Sequence, residues 1–478
     1  MKRFKSIIAA VLALGCVLTV TACDEETGPV STGGSTPSGG GSTPPQASTT
    51  SSTATMNEDD ASKVAEIDID AEKLENPTVK FLSSWDINPA EGQPLSVELE
   101  MFQTQYGGRI EFIQTTFEER YTKLSMMIQA DESPDMFSAG DMDIFPKGVL
   151  SGYFQPLDPY IDFSSELWKP MSEVNDQFCA NGKHYVGAIN VESDCVMFYN
   201  KKTIIDNGLD DPVELFNQGK WDWDALWKMM TQFCNREEQK FATDGWWFEG
   251  AISLTTGKSY IGMENGKVIH NLDNPMIEKV QKYMLDMKEN DLPFPKAEFG
   301  WQPNPSNIKS GNTLFYPVGV YALYPYNNYI QNFGEKMEDV MFVPMPKCPD
   351  ADNYYLPARV NGFALVKGAA NPEGVAGYLK CAMASRDSEI AKEIGMRQAF
   401  DEYGWTQEHW DMLEKVNDMT AEHPAIEFYN AVTPTIADCV NNPMKESYNA
   451  GVSWTATRDA YRGAIQMELD SVNDKLNS

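Results

Sequence analysis

Seventy carboxylates, four histidines, eight cysteines and eleven tryptophans are the side chains of this 478-residue sequence that could do chemistry or recognise a ligand. Spacing decides which of them can act together. His184, His270, His409 and His423 have no metal-ligand spacing. Cys179, Cys195, Cys234, Cys348, Cys381 and Cys439 contain no Cys-x-x-Cys pair, so they read as core thiols or as one long-range disulfide. No phosphate-cradling glycine loop and no serine-nucleophile elbow appears, so nothing calls for a metal or cofactor. Two carboxyls about 5 to 10 Å apart could hydrolyse a glycoside if one had a raised pKa. With so many carboxylates, a sequence pair such as Glu192 and Asp194 carries no weight for catalysis. Trp246-Trp247-Phe248-Glu249 is different. It follows the loop signal Asp244-Gly245, and two adjacent tryptophans cannot both be buried on one face of a strand. An exposed aromatic is the expected result.

The chain begins with Lys2, Arg3 and Lys5, an apolar stretch from Ile7 to Val20, and then Thr21-Ala22-Cys23. That is a secretory signal too short to span a membrane. It resembles the bacterial lipoprotein signal, with cleavage after residue 22 and a lipid on the sulfur of Cys23. Cys16 is a second acceptor, and a plain signal peptide is the alternative. Residues 23–60 are rich in Ser, Thr, Gly and Pro and bury too little apolar surface to repay ordering, so they read as a disordered tether. The rest is long enough for two lobes. Loss of the basic signal takes the net charge from −32 to about −35, which excludes a nucleic-acid partner.

Behind the tether, Thr78 to Trp85 is a strand, and Leu95, Leu99, Phe102 and Tyr106 recur at helical spacing before Gly107-Gly108. Arg109 to Thr116 alternates as a strand, Tyr121, Leu124 and Ile128 mark a helix, and Met136-Phe137 begins a third strand. Such connections imply parallel pairing with right-handed crossovers. Ligands on open sheets of this kind bind beyond the carboxyl ends of the strands. Trp85 and Asp141 lie at two of those ends. Gly182 to Ile189 and Val196 to Lys201 read as strands flanking a polar break, Asn190 to Asp194. Asp222 caps a helix stapled by Trp221 and Leu226, and Asn371-Pro372 starts another. The last seventy residues read as helical.

From about Thr78 to the end, the chain resembles the extracellular solute-binding proteins of bacterial ABC importers, in the carbohydrate-binding group. The resemblance is carried, in order, by Val79 to Trp85, Tyr121-Thr-Lys-Leu124 with Ser133-Pro-Asp-Met136, and Gly182-Lys183 with Phe198-Tyr-Asn-Lys201. Gly219-Lys-Trp-Asp-Trp223, Lys309-Ser-Gly-Asn312, Val343-Pro-Met-Pro346 and Asn361-Gly-Phe-Ala-Leu-Val-Lys-Gly-Ala-Ala-Asn-Pro-Glu373 complete it. It implies an α/β, two-lobed, type II periplasmic-binding-protein-like fold. Each lobe is a mainly parallel sheet flanked by helices. Lobe 1 takes 77–188 plus 360–405 and lobe 2 takes 189–359 plus 406–478, with crossings near Asn190, Ala358 and Trp405. The implied role is a non-enzymatic, lipid-anchored monomer on the outer face of the plasma membrane of a Gram-positive-type cell. It would capture a sugar or oligosaccharide and deliver it to ABC permease subunits.

Sugars present polar edges and apolar C–H faces, so their cleft needs aromatic platforms with carboxylates, amides and an arginine. By that resemblance the ligand contacts are Trp85, Asp141, Glu192, Asp194, Trp246, Trp247, Trp301, Tyr321 and Arg359, with one of the two adjacent tryptophans in the cleft. Asp141 is equally suited to capping a helix, and the Trp405 to Trp410 pair reads as a packed helix end. Tyr321 stands where the family usually has tryptophan. A secreted carbohydrate-active hydrolase and a peptide-binding transport receptor are the alternatives.

Overall fold

The structure, a computed structural model, describes residues 56–476 except Asp68, residues 90–92 and Asp387. Cys23, the signal and most of the proposed tether lie outside the described residues. Order begins earlier than composition suggests. Asn57 caps the helix Glu58–Val64 by accepting from the Asp60 amide, and Met56 and Val64 are buried. Asp60 also pairs with Arg397, far along the chain.

Two buried apolar clusters organise the remainder of the chain. The first surrounds a sheet whose opening strand, Thr78–Ser83, pairs in parallel with Arg109–Gln114 on one side and Met136–Ser138 on the other. The helices between them arise as the periodicity predicts. Val97–Met101 continues as a π-helix over Phe102–Tyr106 and ends on Gly107 at φ 70°, a left-handed cap that favours glycine. Arg120–Gln129 follows the second strand. The second cluster surrounds a four-stranded sheet of Val340–Pro344, Val196–Asn200, Thr313–Val318 and Phe241–Thr243, in that order.

Both sheets are mixed, because strands return as well as cross over. The eleven-residue strand Leu356–Val366 runs antiparallel to Met136–Ser138 and to Gly187–Ser193, and parallel to Pro424–Ile426. Gly187–Ser193 extends through most of the expected polar break, because its polar and apolar residues alternate. Val191 and Ser193 are buried while Asn190 and Glu192 are half-buried, the period of a strand. The chain passes from the first sheet to the second at Asp194-Cys195, and returns between Pro344 and Leu356. At this double crossing Ser193 faces Ala358 and Glu192 faces Arg359.

Asp222 accepts from the Ala225 amide at 2.8 Å and caps Trp223–Phe233. Trp221 and Trp223 are both buried, with their indole N–H groups bonded to Pro344 O and Thr255 Oγ1. The C-terminal helices place Ile436, Val440, Ile465 and Leu469 in contact with the first cluster, whereas Trp405 and Met412 join the second.

Candidate functional site

The double crossing carries a group of charges. Arg359 donates to Glu192 Oε2 at 3.1 Å, and Asn361 Nδ2 reaches Glu192 Oε1 at 3.3 Å. Residues 359 and 361 share a face of one strand, so the period of two aims both at one partner. Burial pushes the Asp194 carboxyl up, and the Arg359 charge offsets part of the shift. Burial disfavours the Arg359 cation, yet Glu192 and Asp194 hold its pKa above the usual value.

Asp141 also feels Arg359. Partial desolvation raises its pKa, while Arg120 and Arg359 oppose the rise. Behind it, Arg120 is 7% exposed, holds its guanidinium 3.7 Å from the Phe117 ring centroid and pairs with Asp143. The Tyr121 hydroxyl donates to the other Asp143 oxygen at 2.7 Å. Arg120 Nε stands 3.6 Å from Asp141 Oδ2. Asp141 is therefore exposed in front of a buried salt bridge, and it caps no helix among the described residues.

Tyr321 lies in the short 3₁₀ turn Val320–Leu323 that comes after the strand Thr313–Val318. Its ring folds back so closely over Gly319 that a Cβ there would stand 2.6 Å from it and 3.3 Å from Asp194 O. Glycine is needed for that close approach. The Tyr321 and Tyr329 rings meet edge to face.

A cavity of about 350 Å³ is lined in part by Asp194, Cys195 and Pro357 at the crossing. Trp246 and Trp247 both line it, 39% and 38% exposed. The turn brings both to the same cavity. Residue 247 opens the helix Phe248–Leu254 while Gly245 sits at φ 96°, so the chain turns sharply instead of alternating as a strand. Cys195, Pro357 and Leu254 complete the near wall.

The far wall comes from residues not anticipated in sequence: Glu427, Tyr429, Asn430, Asn441, Met444 and Lys445. The Glu427 carboxylate accepts from the amides of Tyr260, Ile261, Phe428 and Tyr429. Burial outweighs those donors and pushes its pKa up to about 7. Lys147, next to the Tyr121 ring, donates to Asn430 O at 3.1 Å. An aromatic, a carboxylate and an amide in Glu427-Phe-Tyr-Asn430, in an irregular stretch between Pro424 and Pro434, were the available signal.

Asp194 thus belongs both to the charged group and to the cavity, and it links Asp141, Glu192, Tyr321 and Arg359 with the two tryptophans. Trp85 and Trp301 stand apart from the cavity lining. Trp85 is 47% exposed and packs edge to face on Phe81. Trp301 is 53% exposed, at φ 61°, in the loop after Lys296–Phe299. Among the described residues no group of histidine, cysteine and acidic side chains could hold a metal ion. No helix there is long and apolar enough to cross a membrane.

A cleft with paired charges at one end and bare indoles along its wall is suited to holding a solute. The sequence matches the family model of the bacterial extracellular solute-binding proteins over residues 88–386. The chain belongs to that family. Among solved structures it is similar to the GacH receptor of Streptomyces glaucescens, at 15% identity over 82% of this chain and 98% of that one, with a TM-score of 0.56. The sugar-binding protein MalE from Xanthomonas citri matches at 14% identity over 84% and 97%, with a TM-score of 0.57. The substrate-binding protein Lmo0181 from Listeria monocytogenes matches at 14% identity over 84% and 98%, with a TM-score of 0.55. At such identities the likeness shows the two-lobed solute-binding fold. No curated protein matches the sequence.

Proposed function

We propose that this solute-binding protein captures a sugar or oligosaccharide and hands it to the membrane subunits of an ABC importer. One observation carries the reading: two adjacent exposed tryptophans line a cavity that also holds Asp194, Glu427, Asn430 and Asn441. Indole faces suit the C–H faces of a pyranose, and carboxylates and amides suit its hydroxyls. The solved relatives agree in kind, having been crystallised with acarbose, cycloalternan and maltotetraose.

In this reading the ligand reaches from Trp246 and Trp247 past Asp194 to Asp141, Glu192, Tyr321 and Arg359, with Trp85 and Trp301 as outer contacts. Two lobes close over it about the double crossing. The role is capture without turnover, by a monomer held to the outer membrane face through a lipid on Cys23.

Isothermal titration with maltotetraose, mannotriose and lacto-N-biose tests the reading. Saturable heat with at least one, and unchanged sugar length after incubation, is the expected result. No heat with any of them, or cleavage products, would overturn it. For the anchor, Cys23→Ala is expected to release the protein into the medium.

A further inference from the structure

The loop bearing both tryptophans rests on charge where apolar packing would be the common choice. Lys296 is 4% exposed and donates to Gly245 O at 2.6 Å. The same amine lies 5.0 Å from the Trp246 ring centroid and 5.9 Å from that of Tyr448. Glu249, 1% exposed, brings Oε1 to 3.8 Å from the amine and accepts there from Asn449 Nδ2 at 3.0 Å. Its second oxygen has no hydrogen-bond partner among the described residues. Asp244, 2% exposed, ties the front of the loop by accepting from the Gly245 and Asn304 amides. Three charged side chains are therefore buried beneath this short loop.

Stability alone gives little reason for such a pair. Replacing a buried ion pair by apolar groups of similar volume is often neutral or stabilising, because two charges no longer have to be desolvated. What the pair does supply is direction. A cation over one face of an indole is attracted to that face, and the amine is simultaneously fixed to the backbone of the residue preceding Trp246. Lys296 itself is buried, so the cation occupies the inner face of the ring and the cavity takes the other.

We propose that Lys296, backed by Glu249, is a positioning residue that fixes the Trp246 indole with its outer face towards the cavity. The effect on affinity rests on the sugar-capture reading, whereas the effect on the indole does not. The same charges extend towards bound ligand through Lys445, which lines the cavity and whose amine feels both partners.

The test is the double variant Lys296→Met/Glu249→Met, which removes both members of the pair while Asp244 keeps its bonds from the Gly245 and Asn304 amides. The Trp246 indole N–H resonance is first assigned as the signal lost in Trp246→Phe. In the double variant that resonance is expected to shift and broaden while the thermal midpoint stays level or rises. Maltotetraose affinity is expected to fall about tenfold, and Lys296→Arg with Glu249 intact should keep the resonance sharp. An unmoved Trp246 resonance in the folded double variant would overturn the proposal. So would a double variant too unstable to fold, since the pair would then be structural. If the wild-type protein binds none of the sugars tested, the capture reading fails and the resonance still decides the positioning role.

Discussion

The two ends of the site solve the burial of polar groups in opposite ways. At the charged end, Arg120 pairs with Asp141 and Asp143, and Arg359 with Glu192 at the crossing, so each of these carboxylates has a guanidinium beside it. Along the cavity wall, Trp246 and Trp247 expose apolar faces, and the supporting charges lie behind them. The first end can exchange hydrogen bonds with a ligand without creating an unpaired charge. The second gains by covering bare indole. Direction and discrimination are therefore expected from the charged end, and most of the affinity from the aromatic one.

Four measurements would break or sharpen that contrast, beginning with the largest effect. Arg120→Ala leaves the buried Asp143 carboxylate with only the Tyr121 hydroxyl, and breaking a buried pair in this way costs about 3 to 5 kcal/mol. Urea denaturation should show that loss; a change below about 1 kcal/mol would mean the pair is already solvated. Trp247→Ala should do the reverse, leaving stability within about 0.5 kcal/mol while sugar affinity falls tenfold or more, about 1.4 kcal/mol by titration calorimetry. Equal losses from the two variants in both assays would erase the distinction.

Gly319→Ala drives a methyl into the Tyr321 ring, where the two ends meet, and should cost about 1 kcal/mol in stability. A matching fall in sugar affinity, read in the same titration, would show that Tyr321 touches ligand. The smallest effect is set by His409, which packs beside the second apolar cluster. Its Nε2 donates to Val340 O, and its Nδ1 accepts from the Thr406 amide, so it is held as the neutral ring. Burial lowers its pKa from the usual 6.5. A depressed histidine contributes stability that is present above 6.5 and lost as pH falls below it. Melting curves should therefore drop as pH falls from 7 to 5, and His409→Gln should flatten that slope.

How far the sequence revealed this arrangement depended on whether a signal was local. The parallel opening of the first sheet followed from alternation and helix spacing between residues 78 and 138, and the cap at Asp222 from one side chain and one amide. An exposed tryptophan at Trp246-Trp247 could be read because two neighbours cannot share one face of a strand. Glu427, Tyr429 and Lys445 could not be read in the same way. Composition marks Glu427-Phe-Tyr-Asn430 as able to bind a ligand, but these residues and Lys445 reach the cavity only through packing against elements far away in sequence. Lys296 and Glu249 were hidden for a related reason: a surface-type residue in sequence gives no sign that a distant loop will bury it.

The pairing of Glu192 with Arg359 joins positions 167 residues apart, and it has a consequence for the order of folding. Between those two strands lies the whole four-stranded sheet, closed at its base like an insertion whose ends meet. Leu356–Val366 also supplies the antiparallel neighbour of Met136–Ser138, so the first sheet lacks an inner strand until the inserted segment has been made and looped back. Contacts of such long sequence separation are slow to form. The earlier strands must wait with one edge unpaired, and an edge of that kind is open to pairing with another chain. Early folding intermediates are therefore expected to be the aggregation-prone species, with protection arriving only when the second crossing strand docks.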